Sequence, residues 1–159
     1  MKHVISVTVE NKPGVLAHIS SLFAARGYSI DSLAVGETED PSVSRMTIVT
    51  RGDDQIIEQI TKQLRKLIST LKVQDLGDVD FIERDLVLIK VNVPSGKRSE
   101  ILEVVDIFRG KIVDVGSKDI VIELSGQESK IQAFIELLKP YGIKELARTG
   151  SIAMARGAK

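Results

Sequence analysis

Twice along this chain the same order of signals recurs, and that repeat limits the fold more than any other feature. In the first half "HVISVTV" alternates apolar and polar residues, a strand signal. It breaks at Pro13-Gly14, and Leu16, Ile19, Leu22 and Phe23 then fall on one face of a helix that Gly27 is placed to end. "SIDSLAVGE" and "VSRMTIVTR" read as an antiparallel hairpin joined by the turn-rich "TEDPS". Ile56, Ile57, Ile60, Leu64, Leu67 and Ile68 make a second stripe. Asp53 and Asp54 open that stripe and Lys62, Arg65 and Lys66 close it, as the helix dipole favours. "LKVQDLGDV" closes the half as a strand.

The second half repeats this grammar. "DLVLIKVNV" breaks at Pro94-Ser95-Gly96, a stripe of Ile101, Leu102, Val105 and Phe108 ends at Gly110, and "KIVDVG" and "DIVIELSG" follow as strands. Ile131, Phe134, Ile135 and Leu138 form the last helix, Pro140 and Gly142 stop it, and "IKELARTG" is the final strand. The expectation is an α+β protein of two ferredoxin-like βαββαβ domains, residues 1–78 and 79–159, each with two helices over one face of an antiparallel sheet.

Composition removes several kinds of chemistry. Lys plus Arg equals Asp plus Glu at 22 each, so no net field recruits nucleic acid or an anionic membrane. There is no cysteine, and His3 and His18 are the only histidines, which excludes thiolate sites and a multi-histidine metal centre. No Walker loop and no dinucleotide-binding glycine motif follows a strand. Neither histidine has a serine elbow beside it, so catalysis is not expected; Asp53-Asp54 reads as a helix start in place of a metal site. Aromatics make up 4% of the chain and lie mostly on helix stripes, so the strands lack the stacking platform of an RNA-binding sheet. The N-terminus has no signal-peptide core and no apolar run reaches membrane-spanning length, so a cytoplasmic protein is expected.

One stretch suggests a ligand. The first N–H groups of a helix have no internal partners and sit at the positive end of its dipole, so they suit a carboxylate. Gly14 leaves the approach open and Pro13 presets the helix start. Asn11 is neutral where Asp would repel an anion, and its amide can both accept and donate, which suits the two charged groups of a free amino acid. Leu16, Ile30, Leu33 and Val35 could supply apolar walls. On the residues alone, Asn11 as a plain helix cap and Gly14 as a plain tight turn is the other reading.

"ENKPGVLAHISSLFAARGYSIDSLAVG" resembles an ACT domain, a ferredoxin-like module that binds small effectors, often amino acids. With "RGYSIDSL", "DPSVSRMTIVT", "IEQITKQLRKLI", "LVLIKV" and "IFRGKIVDV", the chain from about Lys2 to about Arg156 is similar to the small regulatory subunits of acetolactate synthase, or acetohydroxyacid synthase. The resemblance implies that residues 1–78 are the effector-binding, dimerising ACT domain and residues 79–159 a C-terminal ferredoxin-like domain. It implies a non-catalytic subunit that activates a separate catalytic subunit and confers feedback inhibition by a branched-chain amino acid, valine first, in valine, leucine and isoleucine biosynthesis. Thiamine diphosphate, magnesium and FAD would belong to the catalytic subunit, with no cofactor in this chain.

The resemblance further implies a homodimer whose N-terminal domains pair edge to edge, with effector sites at the interface. These sites would use Asn11, Gly14, Val15 and Leu16 of one subunit and Ser29 and Ile30 of its neighbour. Many members carry Asn where this chain has Ser29, which reaches less far and lacks the amide. The "PSG" break has no equivalent Asn, so the second half is expected to serve partner binding or signal transmission without a second effector site. An amino-acid sensor attached to a different enzyme is the alternative.

Overall fold

A computed structural model describes residues 1–157. The elements run β1 (Lys2–Glu10), α1 (Val15–Ala25), β2 (Ser32–Glu37), β3 (Val43–Arg51), α2 (Asp54–Lys66) and β4 (Thr70–Asp75). They continue with β5 (Phe81–Asn92), α3 (Arg98–Ile107), β6 (Lys111–Val115), β7 (Asp119–Gly126), α4 (Glu128–Leu138), β8 (Ile143–Arg148) and β9 (Ile152–Ala155). The chain divides into two compact units, one made of Met1–Ile82 with the segment that begins at Ser151, the other of Glu83–Gly150.

In the first unit the strands lie in the order β2-β3-β1-β4, all antiparallel. Alternation along β1 sends Ile5, Val7 and Val9 toward the helices, where Ile19, Phe23, Ile57, Ile60 and Leu64 complete the core. Burying each such side chain contributes on the order of 1.5–3 kcal/mol. Asp53 caps α2 by accepting from the Ile56 N–H at 2.9 Å, and Arg65 and Lys66 occupy its last turn, as the sequence predicts. The second unit repeats the plan with strand order β6-β7-β5-β8 and a core around Val87, Ile89, Ile101, Ile122 and Phe134. Its first and last strands are tied by Asp85, 2% exposed, which accepts from the Arg148 guanidinium at 2.6 Å and from the Thr149 hydroxyl at 3.2 Å.

Four details differ from the sequence reading. First, the grouping into compact units does not follow the expected boundary at 78/79: residues up to Ile82 and the segment from Ser151 fall with the first unit, and the last two residues of the expected second domain lie outside the described ones. Past Gly150 the chain returns to the first unit, where β9 pairs with β5 and the Arg156 N–H donates to the Asp80 carbonyl at 2.8 Å. Ala153 and Ala155 pack with Val4, Val49 and Leu76 on the sheet face away from the helices.

Second, β2 starts at Ser32, so Ser29 and Ile30 sit in the loop before it. Third, Pro13 does not begin α1. Lys12–Val15 is a turn closed by the Val15 N–H on the Lys12 carbonyl at 3.4 Å, with Gly14 at φ 87° and ψ −9°. Proline second and a positive-φ glycine third are the residues a type II turn demands. Fourth, it is Arg109, at φ 60°, that turns left-handed after α3. Gly110 has an ordinary φ but little room, since a Cβ there would lie 3.3 Å from side-chain atoms of Ile122 and Val105.

Candidate functional site

The loop from Asn11 to Gly14 carries the candidate site, and β1, α1 and the β2–β3 hairpin hold it. Its backbone is anchored by the Asn11 N–H on the Ser42 carbonyl at 2.7 Å and by the Glu10 N–H on the Ser69 carbonyl at 2.8 Å. Asn11 is not the cap of α1: Gly14 stands at the N-cap, and no side chain accepts from the first turn. The Asn11 amide instead donates to the Pro41 carbonyl at 2.9 Å and to the Glu37 carboxylate at 3.3 Å. Both N–H atoms of that amide are thus directed at the hairpin, which leaves Oδ1 as the atom able to accept from a ligand.

The hairpin is itself stiffened from within. Asp40 accepts from the Ser42 hydroxyl at 2.7 Å and from the Ser42 N–H at 3.0 Å. These bonds, the side-chain one first, lower the pKa of Asp40 below its ordinary value. Thr38 donates to the Val43 carbonyl at 3.0 Å across the same turn.

At Gly14 an added Cβ would meet nothing within 4 Å, so the space before α1 is open. The helix begins its own bonding with the His18 N–H on the Gly14 carbonyl at 3.0 Å, so the N–H groups of Leu16 and Ala17 at the start of α1 have no place in that ladder. No acidic residue stands in the first turn to occupy them. Leu16 is 43% exposed beside this opening, while Val15 is buried in the core and can offer only its backbone. An open, uncharged helix start with an apolar side chain alongside can hold a carboxylate whose substituent is aliphatic.

Ser29 and Ile30 are not brought to this place within one chain. They follow the C-terminal end of α1, whose 11 residues span about 16 Å. Ser29 is exposed and its carbonyl accepts from the Thr50 hydroxyl; Ile30 rests against the core edge with Tyr28 and Leu33. A single chain therefore brings together four of the six predicted residues: Asn11, Gly14, the Val15 backbone and Leu16. Glu37, Pro41 and Ser42, which fix the loop, carry no sequence signal, because their contacts with Asn11 bridge distant parts of the chain.

Of the histidines, His18 is exposed on α1 and His3 is buried, its Nδ1 lying 3.6 Å from Asp75 and its Nε2 4.0 Å from Asp54. Among the described residues no group of three or more His, Asp or Glu is placed to hold a metal ion, and no helix is long and apolar enough to cross a membrane.

Comparison with known proteins gives full-length matches. Residues 5–72 match the family model of the AHAS small subunit-like ACT domain, and residues 84–157 that of the small subunit of acetolactate synthase. The chain is similar to the acetolactate synthase small subunit of Aquifex aeolicus, 58% identical over 98% of this chain and 81% of the relative. It is 55% identical to the probable acetolactate synthase small subunit of Archaeoglobus fulgidus, over 100% of this chain and 99% of the relative. A crystal structure of an acetolactate synthase small subunit from Thermotoga maritima superposes with a TM-score of 0.90 at 45% identity, covering 100% and 99% of the two chains.

Proposed function

The chain belongs to the acetolactate synthase small-subunit family, regulatory and non-catalytic partners of a large subunit, and from that premise we propose that it senses a branched-chain amino acid, valine first, at the Gly14 turn. In this reading it activates the large subunit in the cytoplasm and makes it sensitive to feedback inhibition. Thiamine diphosphate, magnesium and FAD belong to the large subunit. Attachment to a different enzyme, the other reading of the Pro-Gly loop, loses its ground once both halves match this family.

The observation that carries the proposal is the left-handed Gly14 at an uncharged, open helix start beside exposed Leu16. The carboxylate takes the N–H groups of the first turn, the ammonium takes Asn11 Oδ1, and the aliphatic side chain lies on Leu16. Ser29 and Ile30 come from a second copy. β2 is the free edge of its sheet, with Val35 47% exposed, and α1 contains no charged residue. Two β2 edges paired antiparallel about a two-fold axis set the Glu37 end of one against the Ser32 end of the other. That pairing carries Ser29 and Ile30 of one copy toward Asn11 and Gly14 of the other, and it covers an open strand edge.

Regulation then works as a population shift. An effector bound across the two copies favours one arrangement of the pair, and the large subunit reads it; by linkage the large subunit must also change the effector's affinity. The test is reconstitution of the full-length chain with its large subunit, following acetolactate formation with and without valine. Stimulation by the chain and its reversal by valine supports the proposal; a rate untouched by the chain refutes it.

A further inference from the structure

His3 occupies a corner of the first unit that the effector reading does not use. It lies on the core face of β1, two residues before Ile5, and is 7% exposed. Among the described residues neither of its ring nitrogens has a hydrogen-bond partner. Buried polar side chains in folded proteins nearly always find one, so a ring with both nitrogens orphaned calls for a reason.

Two carboxylates and a turn close on that ring. Asp75, the last residue of β4, places Oδ1 3.6 Å from Nδ1, and Asp54, the first residue of α2, places Oδ1 4.0 Å from Nε2. The turn after β4 crowds the same edge, since a Cβ on Gly77 would lie 3.0 Å from Nδ1. The Gly77 N–H donates to Asp75 Oδ1 at 2.9 Å and so holds that oxygen beside the ring. The charged groups that approach the ring are thus both carboxylates. Opposite His3 on β3 stands Thr50, uncharged, whose hydroxyl donates to the Ser29 carbonyl. Arg51 beside it is paired with Asp31, and on α2 the Asp53 carboxylate is taken by the Ile56 N–H at 2.9 Å. Lys2 belongs to the opposite face of β1, and the rest of the turn, Leu76–Asp78, adds only a further carboxylate.

We propose that His3 is a proton-operated clamp: protonation makes both ring nitrogens donors, one toward Asp75 and one toward Asp54, and ties β1 to the first turn of α2 and to the turn that leaves β4. Neutral imidazole carries one donor and one acceptor, so it cannot serve two carboxylates at once. Closing either gap by about 1 Å gives a charge-assisted hydrogen bond of ordinary length. Imidazole is the side chain that changes charge in mildly acid solution. A contact made only by the protonated ring holds its proton more firmly in the folded protein than in the unfolded chain. Its stabilisation is therefore present in mild acid and lost as pH rises. The clamp does not depend on the effector reading.

The test is hydrogen exchange by NMR on the full-length chain at about pH 5.5 and about pH 8, corrected for intrinsic rates. The Ile56, Ile57 and Gly77 amides, which lie beside the two gaps, should be roughly tenfold better protected at the lower pH. His3→Gln should abolish that difference. Asp54→Asn, at a side chain 93% exposed, should reduce it. His18 is the only other histidine and is exposed, so it serves as the reference when both rings are titrated. The His3 midpoint should fall in Asp54→Asn while that of His18 stays. Equal protection at both pH values in the wild type overturns the clamp. A pH difference that persists in His3→Gln also overturns it, because the proton then acts on another group. Should His3→Gln fail to fold, Asp54→Asn decides alone, and two unmoved midpoints refute the proposal.

Discussion

The Asn11 side chain donates to the Pro41 carbonyl at 2.9 Å, which fastens the loop before α1 to the tip of the β2–β3 hairpin. The same amide reaches the Glu37 carboxylate at 3.3 Å. The Asn11 loop and the end of the edge strand are therefore joined, so a ligand held at that loop would also be held against the strand through which two copies would meet.

Asn11→Asp should break that connection in a recognisable way. The new carboxylate would face the Glu37 carboxylate and the Pro41 carbonyl with nothing to donate. Both partners are exposed, so the stability cost is small, about 1 kcal/mol. The effect on effector binding is expected to be larger, at least about tenfold, because the loop that positions Oδ1 loses its tie to the hairpin. Calorimetry and urea unfolding on one preparation separate the two, and a loss of stability without a loss of affinity would contradict this role for Asn11.

Val35→Lys tests the dimer. Val35 is half exposed on the edge strand and distant in sequence from the Gly14 turn. A lysine there should halve the mass seen by sedimentation and remove valine binding along with it, because Ser29 and Ile30 of the second copy are lost to the site. A monomer that still binds valine with wild-type affinity would show that one chain holds the whole site.

The hairpin has an acid limit set by Asp40. Its pKa is lowered in the folded protein by the Ser42 hydrogen bonds, the side-chain one first. A depressed carboxylate contributes stability that is complete above its unfolded value, near 3.8, and that is lost as pH falls through the lower folded value. Hydrogen exchange of the hairpin amides should therefore rise below about that pH in the wild type. Asp40→Asn should show this loosening already at neutral pH, with little further change in acid.

In the second unit, Arg148→Met should strand Asp85. That carboxylate is 2% exposed, and among the described residues the Thr149 hydroxyl would remain as its donor. Broken buried pairs cost about 3–5 kcal/mol, and the lower end applies because the Arg148 side chain is 32% exposed. Asp85→Asn with Arg148→Met should recover part of the loss, since no buried charge is then left unpaired. Urea unfolding of all three variants checks this, and an Arg148→Met protein as stable as wild type would refute it.

The element types and the ferredoxin-like order were legible because apolar periodicity switches cleanly from strand to helix and back at Pro and Gly. What escaped had weak or distant signals. β9 is the short run "IAMA", whose inward residues are only Ala153 and Ala155, too small to mark a buried face. Gly110 marks the end of the α3 stripe in the sequence, but that a Cβ there would come within 3.3 Å of Ile122 and Val105 is visible only in the packing. At the candidate site Pro13 suits a helix start and the second position of a type II turn alike, and only the Val15 N–H bond to the Lys12 carbonyl decides for the turn. The partner of Asn11 was not legible, since it lies on a different hairpin.

The most direct measurement is calorimetric titration of the full-length protein with valine, leucine and isoleucine, beside Gly14→Asp. Aspartate tolerates a left-handed backbone better than most residues, so the variant should fold at a cost of about 1–2 kcal/mol while placing charge where the carboxylate belongs. Valine should bind the wild type and should not bind a folded Gly14→Asp. Undiminished valine binding by that variant would place the effector elsewhere and contradict the account at its centre.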